Sequence, residues 1–490
     1  MARETTAAEQ TFQEAVRRHA HGEPLAAEEC CRRVLRIDAR HSGALHLLGV
    51  VAREREDREQ AVGLMRRAVA AAPESVESRL LLANWQADGG DFEAAIAEYR
   101  RILDADPRCT AAWFNLGRTL QDVERYREST DCYLQALDLE PGFRDAALNL
   151  GIVLRYIGRL DEAAAVFTRL VDGNCDDAEA HLQRALTRVS AGDFVRGWEE
   201  YGWRWKAEAT PRPFDRPLWD GSPLGEGTLL LFAEQGIGDE IQFASCVPDV
   251  ATRVERCLLE CEPRLVPLFR RSFPGVDVVS APVSGCDFDV QLPIGDLPRL
   301  FRRSVDDFPG RRSWLRAEEA QVGRWKRRFA DCGARMTIGV SWRGGKKPDV
   351  QRSRSTQLAQ WSAVLQSSNA TVVNLQYGDV AAELESLRTA TGLRVRNWPD
   401  ADPMKDLDDL AAQISAVDLV ISVDNSTVHV AGALGRPVWT LLPFASDYRW
   451  MRGTDCSPWY PSMRLFRQPA AGDWDAVFRE VAIALRSFKL

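Results

Sequence analysis

Lysine is absent from the first 200 residues of this 490-residue chain, and histidine is nearly absent from the rest: after His181 only His429 remains. The sequence connects the first absence to no function. The second obliges any histidine-dependent chemistry in the C-terminal half to use His429. No apolar run approaches the roughly 18 residues needed to cross a bilayer, so a transmembrane helix is not expected. The N-terminus, Met1-Ala-Arg-Glu-Thr-Thr, lacks the apolar stretch of a signal peptide. The eleven cysteines are odd in number and scattered. Cys257 and Cys261 stand at helical spacing, but no second cysteine or histidine pair at metal-ligand spacing lies near them in the chain. They read as reduced thiols in a cytoplasm, with no metal site.

A surplus of basic charge is also missing from the N-terminal part. Residues 1–200 hold 26 Lys+Arg against 35 Asp+Glu, and the remainder 37 against 36. Nucleic acid is therefore not an expected partner, because phosphate backbones need a basic surface. Hydrophobic content of 45% and charged content of 27% are ordinary for a soluble globular protein, and the length suits about three domains.

A tandem repeat fills residues 8–205. Pro73, Pro107 and Pro141 are spaced by 34 residues, and Gly49, Gly117 and Gly151 keep the same frame, with Ala83 filling the gap. Ala61, Ala95 and Ala163 recur at one inner position, and Tyr99, Tyr133 and Phe167 at another. This pattern resembles the tetratricopeptide repeat, an α-solenoid of helix pairs. Asn115 and Asn149 share one repeat position on the first helix of each pair. A primary amide both donates and accepts, so such a column can hold the backbone of an extended peptide acceptor. The competing reading is two solvated helix residues. The solenoid resembles that of the eukaryotic O-GlcNAc transferase. It closes on Trp198, Trp203 and Trp205, which are expected to bury its end. Pro211, Pro213, Pro217, Gly221, Pro223 and Gly225 then mark a linker over 206–226.

From residue 227 the period changes. Thr228-Leu-Leu-Leu-Leu-Phe-Ala233 reads as a buried parallel strand. Further strands are expected at 257–260, 276–280, 288–292, 337–342, 371–376, 419–423 and 438–442. The alternation with helical stretches predicts two doubly wound α/β domains, 227–330 and 335–490. A basic, irregular stretch over 300–335 separates them, and a cleft is expected at their strand carboxyl ends.

Three segments point into that cleft. In Ala233-Glu-Gln-Gly-Ile-Gly-Asp-Glu-Ile-Gln-Phe243, Gly236 and Gly238 allow close backbone approach, and Asp239 stands where a helix begins. Gln235 and Gln242 flank it, with Glu234. A helix-capping aspartate is the bland alternative. In Ile338-Gly-Val-Ser-Trp-Arg-Gly-Gly345, followed by Lys346, Lys347, Arg352 and Arg354, a strand runs into paired glycines and a basic patch suited to a diphosphate. Ser341, Arg343 and Arg354 are its donor-binding candidates, and Gln376 ends the next strand beside them. In Ile421-Ser-Val-Asp-Asn-Ser-Thr-Val-His429, Asp424 ends a strand, Ser426 or Thr427 caps a helix, and His429 lies on its first turn. Asp447-Tyr-Arg-Trp450 is expected to cover the donor, with Tyr448 or Trp450 stacking on a base.

Together Glu234–Phe243, Gly339–Gly345 and Asp424–Pro437 resemble the heptosyltransferase-like inverting glycosyltransferases, and more closely their bacterial, repeat-fused subgroup. The resemblance implies a GT-B fold, a nucleotide-sugar donor held mainly by the C-terminal domain, and no cofactor or obligatory metal. It makes Asp239 the base and places Asp424 and His429 on the donor. Some members of this architecture modify flagellin, which makes a flagellin the leading protein acceptor. The chain departs from the family at Ser426, where a glycine is usual, and at Arg343, where a lysine is expected, so donor identity does not transfer. A lipid-linked or polysaccharide acceptor, and a non-catalytic adaptor or chaperone, remain as alternatives.

Overall fold

The computed structural model of the chain describes residues 2–207, 215–283, 287–308, 310, 313–333, 336–345 and 348–488. Linker residues Pro211 and Pro213 and the basic pair Lys346 and Lys347 lie outside the described residues. The chain divides into two compact units, Met1–Leu154 and Arg155–Leu490.

The first unit is built from paired antiparallel helices, among them Ser42–Glu54 with Arg58–Ala71, Val76–Asp88 with Phe92–Ala105, and Thr110–Asp122 with Tyr126–Leu139. The recurring residues of the 34-residue frame are its packing contacts. Ala61, Ala95, Tyr99 and Tyr133 are all fully buried. Gly117 leaves room for the Tyr133 ring: a Cβ there would lie 2.8 Å from Tyr133 Cε1. Ser129 replaces the small alanine of that repeat, and its hydroxyl donates to the Gly117 carbonyl at 2.7 Å, so the buried polar group is satisfied.

The second unit opens with helices Leu160–Gly173, Ala178–Ser190 and Phe194–Glu200, which continue the paired pattern. Two wholly parallel sheets follow. The first has four strands, β1 (Thr228–Phe232), β2 (Arg256–Cys261), β3 (Asp277–Ser280) and β4 (Val290–Pro293), in the order β3-β2-β1-β4. The second has six, β5 (Thr337–Ser341), β6 (Thr371–Asn374), β7 (Val395–Arg396), β8 (Leu419–Val423), β9 (Val438–Leu442) and β10 (Met463–Arg467), in the order β10-β9-β8-β5-β6-β7. The strands β1, β5, β8 and β9 are buried along their whole length, as parallel strands covered on both faces must be.

Three expectations are corrected. Cys257 and Cys261 lie on β2, the strand expected at 257–260, so their helical spacing does not pair them on a helix, and the ten described cysteines are free thiols. The edge strands β7 and β10 went unread, one because it is two residues long, the other because Arg464 and Arg467 interrupt its apolar pattern. The stretch 300–335 contains a regular helix, Glu319–Ala330. That helix packs on Leu407–Ala416, where Trp325 Nε1 donates to Asp409 at 2.8 Å and Arg324 pairs with the same carboxylate.

The glycine contacts give a paired test. Gly117→Ala should lower stability by about 1–3 kcal/mol, the usual cost of overpacking. Gly63→Ala should be neutral or stabilising by up to about 1 kcal/mol, because Gly63 is a helix residue with open space at its Cβ position. Denaturant unfolding of the two variants checks both signs.

Candidate active site

The carboxyl end of β1 runs into Ala233–Gly236 and the helix Ile237–Phe243, with Gly236 as its N-cap. Gln235 has a left-handed φ of 65°, unusual for a residue with a side chain. Asp239 is the third residue of the helix, and its Oδ2 accepts the Gly236 N–H at 3.1 Å. The capping role is therefore real. The second oxygen does something else: Oδ1 pairs with Arg449 Nη1 at 2.7 Å.

That contact begins a run of alternating charges. Arg449 Nε reaches Asp447 Oδ1 at 3.0 Å, Asp447 Oδ2 meets Arg354 Nη2 at 3.3 Å, and Arg354 Nη1 meets Asp424 Oδ2 at 3.2 Å. Asp424 follows β8 and is only 2% exposed. The cluster therefore joins the carboxyl ends of β1 and β8 through side chains from four segments. Burial alone would raise the Asp447 carboxyl, but Arg449 and Arg354 outweigh it and hold it below the usual carboxylate range. Burial opposes the charge of Arg449 too, and Asp239 and Asp447 more than compensate, so its guanidinium is strengthened.

His429 sits against this cluster on the helix Ser426–Ala433. Its Nδ1 lies 2.7 Å from the Tyr460 hydroxyl, and its ring packs on Trp450 with centroids 5.4 Å apart. A Cβ on Gly238 would fall 2.9 Å from His429 Cδ2, so the absent side chain is what lets the two loops touch. Burial, reinforced by Arg449, pushes the imidazole down to about 3. It is neutral in the physiological range and can exchange hydrogen bonds without adding charge.

Helix capping differs from expectation. The cap is Asn425, whose Oδ1 accepts from Thr427 N at 3.0 Å, rather than Ser426 or Thr427. Its Nδ2 donates to Ser341 Oγ at 2.8 Å and to the Arg343 carbonyl at 2.9 Å. Gln376 Oε1 receives Ser341 Oγ and the N–H groups of Trp342 and Arg343, at 2.7 to 3.0 Å. Ser341, Gln376 and Thr427 are thus buried parts of the frame that holds the loops after β5 and β8. Gly344 belongs to it as well, since a Cβ there would strike the Asp424 carbonyl oxygen at 2.6 Å.

Not every candidate converges. Arg343 turns its guanidinium to the Tyr377 and Asp379 carbonyls, at 3.4 and 3.3 Å, and to Glu383 at 3.5 Å, away from Arg354 and its partners. Gln242 is fully buried. Gln235 Nε2 donates to the Tyr201 hydroxyl at 2.8 Å. Glu234 is engaged by Arg204 through both oxygens, at 2.8 and 2.6 Å. Trp450 is fully buried and Tyr448 nearly so, packed against Trp198 and Tyr201, so neither offers a free face to a base. Trp203 stacks on His181 at 3.9 Å, and Trp205 packs on Phe232. In the first unit, Asn115 donates to Asn84 at 3.1 Å, and Asn84 also accepts the Tyr99 hydroxyl at 2.6 Å. Asn115 and Asn149 are both half-buried.

Sequence reasoning missed Arg449, Tyr460 and Asn425 as site residues. Asn425 carried a local signal, as the residue directly before the predicted cap, and Arg449 lies inside the Asp447–Trp450 segment expected to cover the donor.

The family described as tetratricopeptide repeat matches residues 46–108, 86–120 and 114–173. The family described as glycosyltransferase family 9 (heptosyltransferase) matches residues 359–469. The chain couples tetratricopeptide repeats to a glycosyltransferase family 9 segment. That segment contains Gln376, Asp424, His429, Asp447, Arg449 and Tyr460, while Asp239 and Arg354 lie outside it. The two parallel sheets behind the helical repeats are consistent with a GT-B-like α/β fold. Protein FlbA of Caulobacter vibrioides is 34% identical over 335 residues, which are 64% of this chain and 56% of that protein. The match thus spans little more than half the length of this curated relative. Among solved structures, a tetratricopeptide repeat protein from Parabacteroides merdae aligns with a TM-score of 0.37 and 18% identity, covering 42% of this chain and 81% of that one. YrrB, described as a TPR protein with an unusual peptide-binding site, aligns with a TM-score of 0.34 and 20% identity, covering 36% and 95%. No described helix is long and apolar enough to cross a membrane.

One neighbour of the site predicts a pH response. Glu240 is buried beside Asp239 and accepts the Glu262 N–H at 2.8 Å. Burial, with Glu262 and Glu260 nearby, raises its carboxyl to about 7. A raised acid holds its proton in the folded state after the unfolded chain has released it, so stability falls as pH rises from about 4.5 to about 7. Glu240→Gln should abolish this loss, gaining up to about 3 kcal/mol at pH 8 and little at pH 4. Unfolding curves of both proteins across that range provide the check.

Proposed function

We propose that the protein is an inverting, GT-B-type glycosyltransferase that moves a sugar from a nucleotide-sugar donor to a hydroxyl of a protein acceptor. The observation that carries this reading is the family 9 segment, whose Asp424 and His429 face Asp239 across a single charged cluster. The repeats supply the argument for a protein acceptor, since solenoids of this kind present extended binding surfaces. Asn115 and Asn149 are its proposed contacts, and a flagellin is the first acceptor to try.

The acceptor oxygen attacks the anomeric carbon as the bond from that carbon to the donor's phosphate oxygen breaks. Asp239 takes the hydroxyl proton, and the nucleotide departs with the bonding electron pair. Arg354 and Arg449 neutralise the departing phosphate. Arg343 is not assigned to this step, because its guanidinium is engaged elsewhere. No step is assigned to a divalent cation, and the phosphate falls to Arg354 and Arg449.

The Asp239–Arg449 pair favours one rival reading. With one oxygen on a guanidinium and the other on the Gly236 N–H, this carboxylate is committed to its own protein, as expected of a non-catalytic adaptor that keeps the fold. Three measurements separate the readings. Thermal shifts should appear with one of UDP, GDP, ADP, CMP or their sugar nucleotides and vanish in His429→Ala. Asp239→Asn should lower transfer about 10²–10⁴-fold, the usual size of general-base assistance, without loss of the folded state. Chelation with EDTA should leave transfer unchanged. Near-wild-type turnover in Asp239→Asn would remove this aspartate as the base, and no shift with any nucleotide would favour the adaptor.

A further inference from the structure

The charge count of the cluster conflicts with a phosphate simply adding to it. Three carboxylates, Asp239, Asp447 and Asp424, face two guanidiniums, Arg449 and Arg354. The group already carries one net negative charge. Two arginines that are neutralised in this way cannot also balance an incoming anion, so a carboxylate must give way.

The geometry singles out which one. Asp239 and Asp424 each pair with one arginine. Asp447 bridges both, with Oδ1 at 3.0 Å from Arg449 Nε and Oδ2 at 3.3 Å from Arg354 Nη2. Two oxygens of one anion set between two guanidiniums is the arrangement a phosphate makes. The anchoring of the three also differs. Asp424 follows directly on β8 and is buried, and Asp239 is fixed within a helix by the Gly236 N–H. Asp447 stands in a loop, at the start of the single turn Tyr448–Trp450, and Met451 just beyond it has a left-handed φ of 54°. Such a backbone conformation costs free energy that a rearranged loop recovers.

We propose that Asp447 is an internal stand-in for the donor's phosphate, holding the place between Arg354 and Arg449 that the phosphate takes when the donor binds. This rests on the glycosyltransferase reading and deepens it. The exchange draws Arg449 towards the phosphate and loosens its hold on Asp239. The base is therefore uncovered only when a donor is present, and the ion pair that argues for an adaptor becomes the resting state of an enzyme.

The test is a calorimetric titration of the full-length wild type and Asp447→Asn with inorganic phosphate and with pyrophosphate. Asparagine still caps the turn, as the aspartate does through the Arg449 N–H, but it carries no charge. The variant should bind at least one of the two anions about tenfold tighter, the scale of relieving one like-charge contact. Adding Arg449→Gln to the variant should erase the gain. A larger gain for pyrophosphate assigns a diphosphate-linked donor, and an equal gain for phosphate a monophosphate-linked one. Unchanged or weaker binding by the folded variant would overturn the proposal, as would binding of neither anion by either protein. Asp447→Ser, which also caps, takes its place if the asparagine variant does not fold. The titration involves no sugar transfer, so its failure beside a positive sugar-nucleotide thermal shift in the wild type would sink this inference alone. A gain in anion binding without any such shift would instead sink the transferase reading.

Discussion

Two arginines hold the loops after β1 and β8 together, and most of the site's architecture can be read as support for that pairing. Arg354 and Arg449 come from segments almost a hundred residues apart, and the carboxylates they bind come from the ends of strands in different sheets. Breaking a partly buried pair of this kind leaves charge with reduced access to water, which costs more than an exposed ion pair contributes. The surrounding neutral groups fit this demand. His429 is kept uncharged by burial, Tyr460 satisfies one of its nitrogens, and Trp450 covers it, so no further charge enters the balance. Gly238 and Gly344 let backbone approach where a side chain would force the loops apart.

A second, uncharged frame fixes the loops from behind. Gln376 and Asn425 use their amides to tie the ends of β5, β6 and β8 to the start of one helix. Such groups are fully hydrogen-bonded and buried, which makes them rigid and leaves little capacity for a ligand. The amide frame positions, while the charged cluster is the part proposed to exchange one anion for another.

Much of the fold was legible because its signals are local. The 34-residue frame reports packing that repeats within each helix pair, and the Gly117–Tyr133 contact shows why its glycine and aromatic recur together. Strands β1, β5, β8 and β9 are buried on both faces and so appear as short apolar runs. β7 and β10 lie on the sheet edge and carry arginine, which removes that signal. The site divides in the same way. Asp239, Asp424 and His429 sit next to glycines or strand ends and could be named from sequence. Arg449 could not, because its meaning depends on Asp239, some two hundred residues earlier. Arg343 misled for the complementary reason: a basic residue after a strand looks like a phosphate ligand whichever way its side chain turns.

The joint at Arg204 bears on how such a chain could be recombined in evolution. Its guanidinium grips Glu234 after β1 and Asp296 after β4, and Tyr201 beside it bonds both Gln235 and Tyr448. Residues of the last helices are therefore part of the α/β core rather than an attachment to it. A crossover that exchanged the helical array for one of different length would have to fall upstream of Ala178, where the helix that packs on the Tyr201–Ala207 segment begins. Crossovers within the glycine- and proline-rich segment that follows, although it looks like the natural seam, would strip the sheet of its own side chains.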